Sequence, residues 1–525
     1  MRGLRTPLAA LCVAAAAAFG VAACGDDDDS VSDGPASAVP ADVPVYFESV
    51  VDLADADELN DALATLGVED AAGMLGEQLD AQLEADGETI SYTEDIEPVL
   101  GERAGFFVQS FGSSTDLTSE TSDDGDGALV VETTDEDKAR ELIDQAIAES
   151  GDTAEDASHE GVDYKLNPDG GDAIAVFDGF VVAGTEPGVQ AAIDASAGDS
   201  LADSDEYQSE LDNLGSDPVL SAYAQPAAVL DQLEASGQLD AAGRAVAEEA
   251  AGGLLDVPAV FSLGADADKI TFDASTGVSD TAASIPVEES ELLRALPGDS
   301  WAATAIPDVG ASIDEALQQV STTAGTAAPD FDKELRRETG LDLAALTGAI
   351  GDVALFARGT NVLDAGGGAV VEDLDPDATA DAIGTLRRLA QREAGPGEKI
   401  TQPSVEGEGY AFTSPSLPQP VNVVQRDDKL VIAYGDEATD EAFAPSETLG
   451  DSDTFTTASD ALGDFGVSLF LDTGPALDLA ESSGAATDPG YAQAQPYLEH
   501  FDYLITGASV DEDRSRVRAV LGLTE

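Results

Sequence analysis

The chain repeats itself, and this repetition constrains its fold more than any other feature. Residues 39–280 and 290–525 carry the same landmarks in the same order, so the architecture must be one that a single chain can build twice. The longest match keeps one constant spacing between its two occurrences. It joins Leu201, Asp203, Ser204, Asp205, Tyr207, Leu214 and Gly215 to Leu449, Asp451, Ser452, Asp453, Phe455, Leu462 and Gly463.

Shorter matches extend the correspondence along both stretches. They pair Val39–Asp42 with Leu296–Asp299, Val130–Glu132 with Val370–Glu372, and Phe180–Ala183 with Leu430–Ala433. The spacing is smaller in the middle, which we attribute to an acidic loop inserted in the first copy near Ser113–Asp126. We therefore predict two tandem copies, 39–280 and 290–525, joined by a linker over 281–289.

Each copy is predicted to be α+β, with helices covering a mainly antiparallel sheet. The alternation in Phe261–Leu263 and in Ile270–Phe272 indicates strands with one face in water. Turn residues between apolar runs, Asp178–Gly179 in the first copy and Asp427–Lys429 in the second, predict β-hairpins.

The clearest helix begins near Asp135, where Thr134 and Asp137 have the spacing of a capping box. Its counterpart in the second copy begins at Asp375, with Pro376 at the first helical position. The residues of the first helix that should face the core follow helical spacing and are Ala139, Leu142, Ile143, Ala146 and Ile147.

The first 24 residues have the pattern of a bacterial secretory signal. Arg2 and Arg5 precede Pro7–Ala23, an uncharged apolar run that is short for a membrane span. The small residues that end this run stand directly before Cys24, and they resemble the lipobox of bacterial lipoproteins, in which the cysteine is acylated and becomes the new N-terminus. We predict that residues 1–23 are removed and that acyl chains on Cys24 anchor the protein at the extracytoplasmic face of the cell membrane.

A tether follows the predicted anchor. Residues 24–38 comprise the lipidated Cys24 and a stretch rich in Asp, Ser, Gly and Pro, which predicts a flexible acidic spacer. The folded part should then begin near Val39. The only other cysteine, Cys12, lies inside the signal, so no pair of thiols is left for a disulfide.

The charge balance argues against nucleic acid as a partner. The chain has 106 Asp and Glu against 22 Lys and Arg, a formal charge of −84. Such a chain repels phosphate backbones, so we predict that it does not bind nucleic acid.

A family resemblance follows from these features. The lipobox, the acidic tether and the Pro-x-Asp opening at Pro40–Asp42, followed by the apolar Val45–Phe47, resemble an uncharacterised family of bacterial proteins, domain of unknown function 3352 (DUF3352). The resemblance implies an envelope protein, and it supplies no catalytic or binding residue.

Motifs that would indicate catalysis are missing from the sequence. His159 and His500 are the two histidines, and neither has the spacing of a zinc site or belongs to a recognisable triad. Paired carboxylates could hydrolyse glycosides, but acids are too abundant for any pair to be informative. The single tryptophan, Trp301, is expected in the core of a strand. We therefore predict no enzymatic activity, no catalytic residue and no cofactor.

Calcium is the metal ion that such a chain would most sensibly bind, and then only weakly. The segment whose acids are best spaced for calcium begins at Asp373. It lacks the glycine and the glutamate of a calcium loop, since Ala378 and Gly384 occupy those positions, and its Asp375 is already explained as a helix cap. We therefore predict no dedicated metal site. The weak candidates are Asp373, Asp375, Asp377 and Asp381.

Three functions agree with the sequence. The first is a non-enzymatic interaction or scaffold module of the cell envelope, with another envelope protein as partner. The second is a carrier of a lipid or another apolar ligand. The third, a hydrolase that uses acidic residues, is the least supported. The sequence leaves the oligomeric state open.

Overall fold

The computed structural model describes residues 34–524 apart from short internal stretches, and it divides the chain into two compact units. The stretches left out are 53–55, 69, 87–88, 113–124, 151–152, 169, 213–217, 256, 279–289, 315–316, 318–332, 334–335, 338–346, 348–349 and 512–513. The first unit ends at Ala283 and also contains Val510–Arg516, and the second contains Ser284–Ser509 and Val517–Thr524. The signal, Cys24, most of the tether, the inserted loop and the linker predicted above lie outside the described residues.

Ten strands form an antiparallel sheet in the described part of the first unit. They are β1 (Val45–Val50), β2 (Leu100–Ser110), β3 (Asp126–Thr133), β4 (Glu155–His159), β5 (Val162–Leu166), β6 (Asp172–Phe177), β7 (Phe180–Thr185), β8 (Leu220–Ala224), β9 (Ala259–Asp266) and β10 (Lys269–Gly277). Their order across the sheet is β4–β5–β6–β7–β3–β2–β1–β8–β9–β10.

The strands β11 to β20 lie in the described part of the second unit, except for the end of β19 and the start of β20, where Val510 and Arg514–Arg516 belong to the first unit. They are β11 (Ser300–Ile306), β12 (Val353–Arg358), β13 (Gly366–Val371), β14 (Lys399–Thr401), β15 (Glu408–Thr413), β16 (Val421–Arg426), β17 (Lys429–Tyr434), β18 (Gly466–Asp472), β19 (Phe501–Val510) and β20 (Arg514–Leu523). Antiparallel pairs give the order β14–β15–β16–β17–β13–β12–β11–β18–β19, and β20 lies beside β19.

Helices connect these strands in both units. The first unit has α1 (Asp57–Thr65), α2 (Ala71–Asp86), α3 (Glu136–Ser150), α4 (Glu186–Ser196), α5 (Asp205–Asp212), α6 (Pro226–Ala235) and α7 (Ala241–Ala251). The second has α8 (Glu291–Arg294), α9 (Pro376–Glu393), α10 (Asp436–Phe443), α11 (Asp453–Leu462), α12 (Thr473–Ser482) and α13 (Pro489–Leu498). The predicted combination of helices with antiparallel sheet is confirmed.

The predicted hairpins are present, with one correction. Phe177 pairs with Phe180 across the two-residue turn Asp178–Gly179, whose φ angles of 48° and 82° are left-handed. In the second unit Arg426 pairs with Lys429, so that turn also has two residues, Asp427 and Asp428. Lys429 therefore belongs to β17, and the three-residue turn predicted from the sequence was wrong.

The start of α3 also differs from the prediction. The side chain of Asp135 accepts a hydrogen bond from the backbone N–H of Lys138 at 3.0 Å and caps the helix. The Thr134 hydroxyl instead donates to the backbone oxygen of Pro98 at 3.3 Å. The predicted cap of α9 is confirmed, since Asp375 accepts from the N–H of Ala378 at 2.9 Å.

The fold begins earlier than the sequence indicates. Pro35–Ala38, which the sequence analysis placed in the flexible tether, form a 3-10 turn in which Pro35, Ala36 and Ala38 are buried. Gly105 makes this possible, because a Cβ at that position would lie 3.0 Å from the Cβ of Pro35. These residues therefore belong to the folded body.

Each unit has one main hydrophobic core on one face of its sheet. In the first, Tyr46, Phe107 and Val182 pack beneath α4 and the Pro35–Ala38 turn. In the second, Phe356 and Phe470 pack with residues from α10 and α11. A smaller cluster lies on the opposite face of the first sheet, where α3 covers β6 and β7.

Candidate functional site

The strands β1, β2, β8, β9 and β10 of the first unit distribute polar and apolar side chains in an unusual way. Successive side chains of a strand point to opposite faces of the sheet. A sheet with one face in water normally turns its apolar residues inward. Here Phe261 is 42% exposed, whereas the next residue, Ser262, is 6% exposed. The strands predicted at these positions are confirmed, and Phe261 and Phe272 lie on their water-exposed face.

The exposed face carries a row of side chains in register across four strands, which we call the outer row. Phe106 pairs with Phe47, Phe47 with Ala222, and Ala222 with Phe261. Phe47 and Phe106 are each 37% exposed. Phe272 on β10 pairs with Leu263, which follows Phe261 by two positions on β9, and it extends the exposed surface. Since neighbouring strands lie about 4.8 Å apart, the outer row is about 14 Å long.

The outer row continues into a covered part of the same face. Leu129 on β3 pairs with Phe106, and then Ala183 on β7 and Ile174 on β6 follow in register. These three residues are buried, and Ala139 of α3 packs on Ile174 and Ala183. The exposed phenylalanines are thus the uncovered continuation of an apolar strip, which indicates a surface suited to an apolar partner.

The opposite face carries a polar row at the same level, which we call the inner row. Glu48 pairs with Ser221, Ser221 with Ser262, and Ser262 with Asp273. All four residues are less than 9% exposed. Burying such groups has a cost unless they find hydrogen-bond or ionic partners.

Glu48 has its partners within the sheet. Its Oε1 lies 2.9 Å from Nη1 of Arg103, and its Oε2 accepts a hydrogen bond of 2.5 Å from the hydroxyl of Tyr46. Arg103 also donates from Nη2 to the backbone oxygen of Pro218 at 3.2 Å. The polar cluster therefore ties β1, β2 and the start of β8 together.

Glu132 on β3 lies next to this cluster. The pairing of β2 with β3 shifts between Leu100 and Ala104, and the Glu132 carboxylate accepts the backbone N–H of Arg103 at 2.9 Å. Burial, together with the charge of Glu48, raises the pKa of Glu132 to about 7 against the opposing effect of that hydrogen bond. Glu132 therefore titrates near neutral pH.

Three tyrosines lie on the inner face beside the cluster. The ring centroids of Tyr46 and Tyr207 are 6.1 Å apart, those of Tyr207 and Tyr223 are 5.3 Å apart, and both pairs meet edge to face. Burial raises the pKa of Tyr46 and Tyr207 well above the usual value and that of Tyr223 to about 12. These hydroxyls stay neutral at physiological pH.

Glu210 on α5 is the most deeply buried of the acids that the structure describes in the first unit, with no exposed surface. It forms an ion pair with Arg514 and accepts a hydrogen bond from Ser275 at 3.4 Å. Burial raises its pKa, and Arg514 opposes that shift. The inner face thus combines the main hydrophobic core with buried polar groups that have ionic or hydrogen-bond partners.

The acidic residues singled out in the sequence take separate structural positions. Asp375 caps α9, Asp377 lies in the first turn of that helix, and Asp381 lies further along it. Asp373 has a left-handed φ of 58°. Among the described residues, no three His, Cys, Asp or Glu side chains are grouped so that they could hold a metal ion.

The two histidines and the tryptophan also have defined positions. His159 ends β4, and its Nε2 lies 2.7 Å from Oδ1 of Asp194. His500 follows α13, with its backbone N–H bonded to the oxygen of Tyr497 at 3.2 Å. Trp301 lies in β11 as predicted, but it is half-buried at an irregularity of that strand and not in the core as expected. Its Nε1 donates to the oxygen of Gly359 at 3.0 Å. Cys24 lies outside the described residues.

The second unit exposes apolar side chains on one face of its own sheet. Thr304 on β11 pairs with Leu355 on one side and with Leu469 on the other, and these leucines are 47% and 38% exposed. Ile432, in the same register, is 38% exposed. No aromatic residue belongs to this described row, so the first unit carries the stronger candidate surface.

Comparison with known proteins gives a family and little else. A family model described as a protein of unknown function, DUF3352, matches residues 7–522. No curated protein matches. Two crystal forms of TP0453 are similar at 9% and 10% identity, covering 47% and 48% of this chain and 79% and 82% of theirs, each with a TM-score of 0.23.

In the part of the chain that the structure describes, no helix has the length and apolar character needed to span a bilayer. The family match extends over nearly the whole sequence and includes both units. The chain therefore belongs to the DUF3352 family of proteins of unknown function.

Proposed function

We propose that this protein is a lipid-anchored, extracytoplasmic interaction module that binds an apolar partner through the outer row of its first unit. The observation that carries the proposal is the exposure of Phe47, Phe106, Phe261 and Phe272 on one face of the sheet. The partner is bound without chemical conversion.

The size of the exposed surface supports a binding role. With a full phenylalanine surface of roughly 200 Å², the four rings leave about 300 Å² in water. Covering that area is worth about 7 kcal/mol before the costs of association are subtracted. Apolar patches of this size on single chains are often functional.

The anchor is proposed from the sequence. Cys24 is the acylated residue, and the described fold begins at Gly34, ten residues later. Ten extended residues reach at most about 35 Å. The acyl chains on Cys24 would therefore hold the binding surface close to the membrane that carries them.

Tandem duplication is the proposed origin of the two units, and strand register supports it. The pair formed by Phe47 on β1 and Phe106 on β2 occupies the same position in the first sheet as the pair formed by Thr304 on β11 and Leu355 on β12 in the second. Isolated bridges join Pro40 to Ser200 in one unit and Pro297 to Thr448 in the other.

Register also corrects one of the matches from the sequence. Val130 pairs with Val182, whereas Val370 pairs with Val431. If the two units are copies, Phe180–Ala183 therefore corresponds to Lys429–Ile432, one residue earlier than the sequence match. A slip of one residue would turn every side chain of the strand to the wrong face.

Binding of a neutral apolar dye tests the proposed surface. We expect Nile red to bind the full chain and the double variant Phe47→Ser, Phe261→Ser to lose most of the fluorescence. The matched control is Leu363→Ser, which removes a side chain that is 80% exposed in the second unit. Equal dye binding by the double variant and the wild type would refute the surface.

Metabolic labelling with a palmitate analogue tests the anchor separately. The wild-type chain should be labelled and stay with the membrane fraction, whereas Cys24→Ser should be unlabelled. Labelling that persists in Cys24→Ser would refute the assigned residue.

A lipid carrier is the second candidate, because an acyl chain could lie along the outer row. Mass spectrometry of the intact chain before and after solvent extraction separates the two functions. A lipid adduct of fixed stoichiometry that is lost on extraction favours the carrier, and a bare mass favours the interaction module.

A further inference from the structure

We infer that the partner of the outer row is an amphipathic protein segment whose apolar stripe is flanked by basic residues. The inference rests on the proposed function and specifies its partner. Two properties of the first unit carry it: the limited area of the exposed phenylalanines and the way in which the unit uses its own cationic side chains.

The area decides against a second copy of this chain. Stable interfaces cover about 800 Å² on each partner, whereas the exposed phenylalanines offer about 300 Å². The outer row is about 14 Å long, a length that roughly ten helical residues span at 1.5 Å per residue. One apolar helix face therefore matches the outer row in length.

The distribution of charge decides the sign of the partner. Seven of the eight basic side chains described in the first unit form ion pairs with carboxylates of the same unit. They are Arg103, Arg140, Lys165, Arg244, Lys269, Arg514 and Arg516. An anionic partner would find these cations already engaged, while acids are in large excess over bases in the chain.

Exposed carboxylates also lie on one strand of the outer row and on a helix that packs against another strand of the row. Glu102 is exposed on β2, four residues before Phe106. Asp61 is exposed on α1, which packs against β9. Lysine or arginine beside an apolar stripe would meet opposite charge at these places, which favours both the rate of encounter and the choice of partner.

An anionic membrane surface fits these observations less well. Its headgroups would face the same excess of carboxylates, and like charges placed together disfavour association. A cationic amphipathic segment satisfies the apolar face and the charge at once.

The test uses the full chain and two labelled helical peptides of equal length and apolar content, one of Leu and Lys and one of Leu and Glu, measured by fluorescence anisotropy. We expect the Leu–Lys peptide to bind and the Leu–Glu peptide to bind at least about tenfold more weakly. Phe47→Ser with Phe261→Ser should weaken the Leu–Lys peptide about tenfold, and Leu363→Ser should leave it unchanged.

A charge variant keeps the test valid if the phenylalanine variants lose structure. Glu102→Lys leaves every ring in place and should weaken the Leu–Lys peptide by about threefold, an effect that high salt removes. Equal binding of both peptides would overturn the inference. The inference would also be overturned if the affinity of the Leu–Lys peptide were unchanged by both the phenylalanine and the Glu102 substitutions. Such a result would show that the peptide adsorbs to charges elsewhere on the chain.

Failure of this inference can be told apart from failure of the proposed function. If the dye binds at Phe47 and Phe261 but neither peptide does, the surface stands and the cationic partner is refuted. If neutral or anionic vesicles bind in a phenylalanine-dependent way while the peptides do not, the partner is a membrane. If neither dye nor peptide depends on the two phenylalanines, both proposals fall.

Discussion

Phe47 and Glu48 are neighbours in β1, yet the phenylalanine is 37% exposed and the glutamate only 8%. The carboxylate is held inside by Arg103 and Tyr46, while the ring faces outward beside Phe106. The sheet of the first unit thus adds ionic and hydrogen-bonded contacts to its hydrophobic core and leaves an apolar row exposed on the other face.

Glu132 should make the stability of the protein depend on pH. Its pKa is about 7 in the folded chain, against 4.5 as the ordinary value. The stability that this raised pKa confers is present below pH 4.5 and is lost as the pH rises through 7. Relative to the wild type, Glu132→Gln should therefore gain stability over that range, by up to about 3 kcal/mol. Urea unfolding at a series of pH values measures this, and a constant difference between the two proteins would contradict it.

Glu136 is the matched control because its shift has the opposite sign. The backbone N–H of Gly179 and the guanidinium of Arg140 lower the pKa of this carboxyl. The stability that it contributes is present above the ordinary pKa and is lost as the pH falls through the lowered value. Glu136→Gln should thus lose stability relative to the wild type at neutral pH, and the difference should shrink in acid.

Arg103 should be harder to replace alone than together with its partner. Arg103→Met leaves the Glu48 carboxylate buried without its cation, which costs about 3 kcal/mol. The double variant Glu48→Gln, Arg103→Met removes both charges and should recover most of that loss in urea unfolding. A double variant as unstable as the single one would show that the ion pair is not the reason for the loss.

Gly105 should tolerate no side chain. A Cβ there would lie 2.6 Å from the Tyr46 hydroxyl and 3.0 Å from Pro35. Gly105→Ala should therefore destabilise the first unit by about 2 kcal/mol and expose the Pro35–Ala38 turn to proteases. Gly384→Ala is the control, because that helical glycine has open space around its position and alanine should stabilise α9 by about 0.5–1 kcal/mol.

Local features of the fold could be predicted because neighbouring residues determine them. The Asp178–Gly179 turn and the Asp375 cap need only a few consecutive residues, and the structure confirms both. The extent of the tether was predicted wrongly, because Pro35–Ala38 are buried against β2, β3 and α4, which are far away in the sequence.

The candidate surface could not be predicted either, because it also depends on contacts between residues far apart in the sequence. In Phe261–Leu263 the alternation gives a strand but does not say which face is covered. That choice depends on the rest of the fold, which buries Tyr46 and Phe107 in the main core and gives Glu48 an ion pair with Arg103 and a hydrogen bond from Tyr46. A buried acid flanked by aromatic residues, as in Tyr46–Glu48, is the one signal in the sequence that could have suggested a polar row on the covered face.

The proposed binding surface requires that Phe261 faces water while Ser262 faces the interior. Replacing each residue singly by cysteine, in a chain whose Cys12 and Cys24 are changed to serine, allows a water-soluble maleimide to measure the exposure of each position in the native protein. The account predicts that Phe261→Cys reacts at least about tenfold faster than Ser262→Cys and that urea removes the difference. Faster labelling of Ser262→Cys in the native protein would contradict the exposure of Phe261 and the binding surface proposed on that face of the sheet.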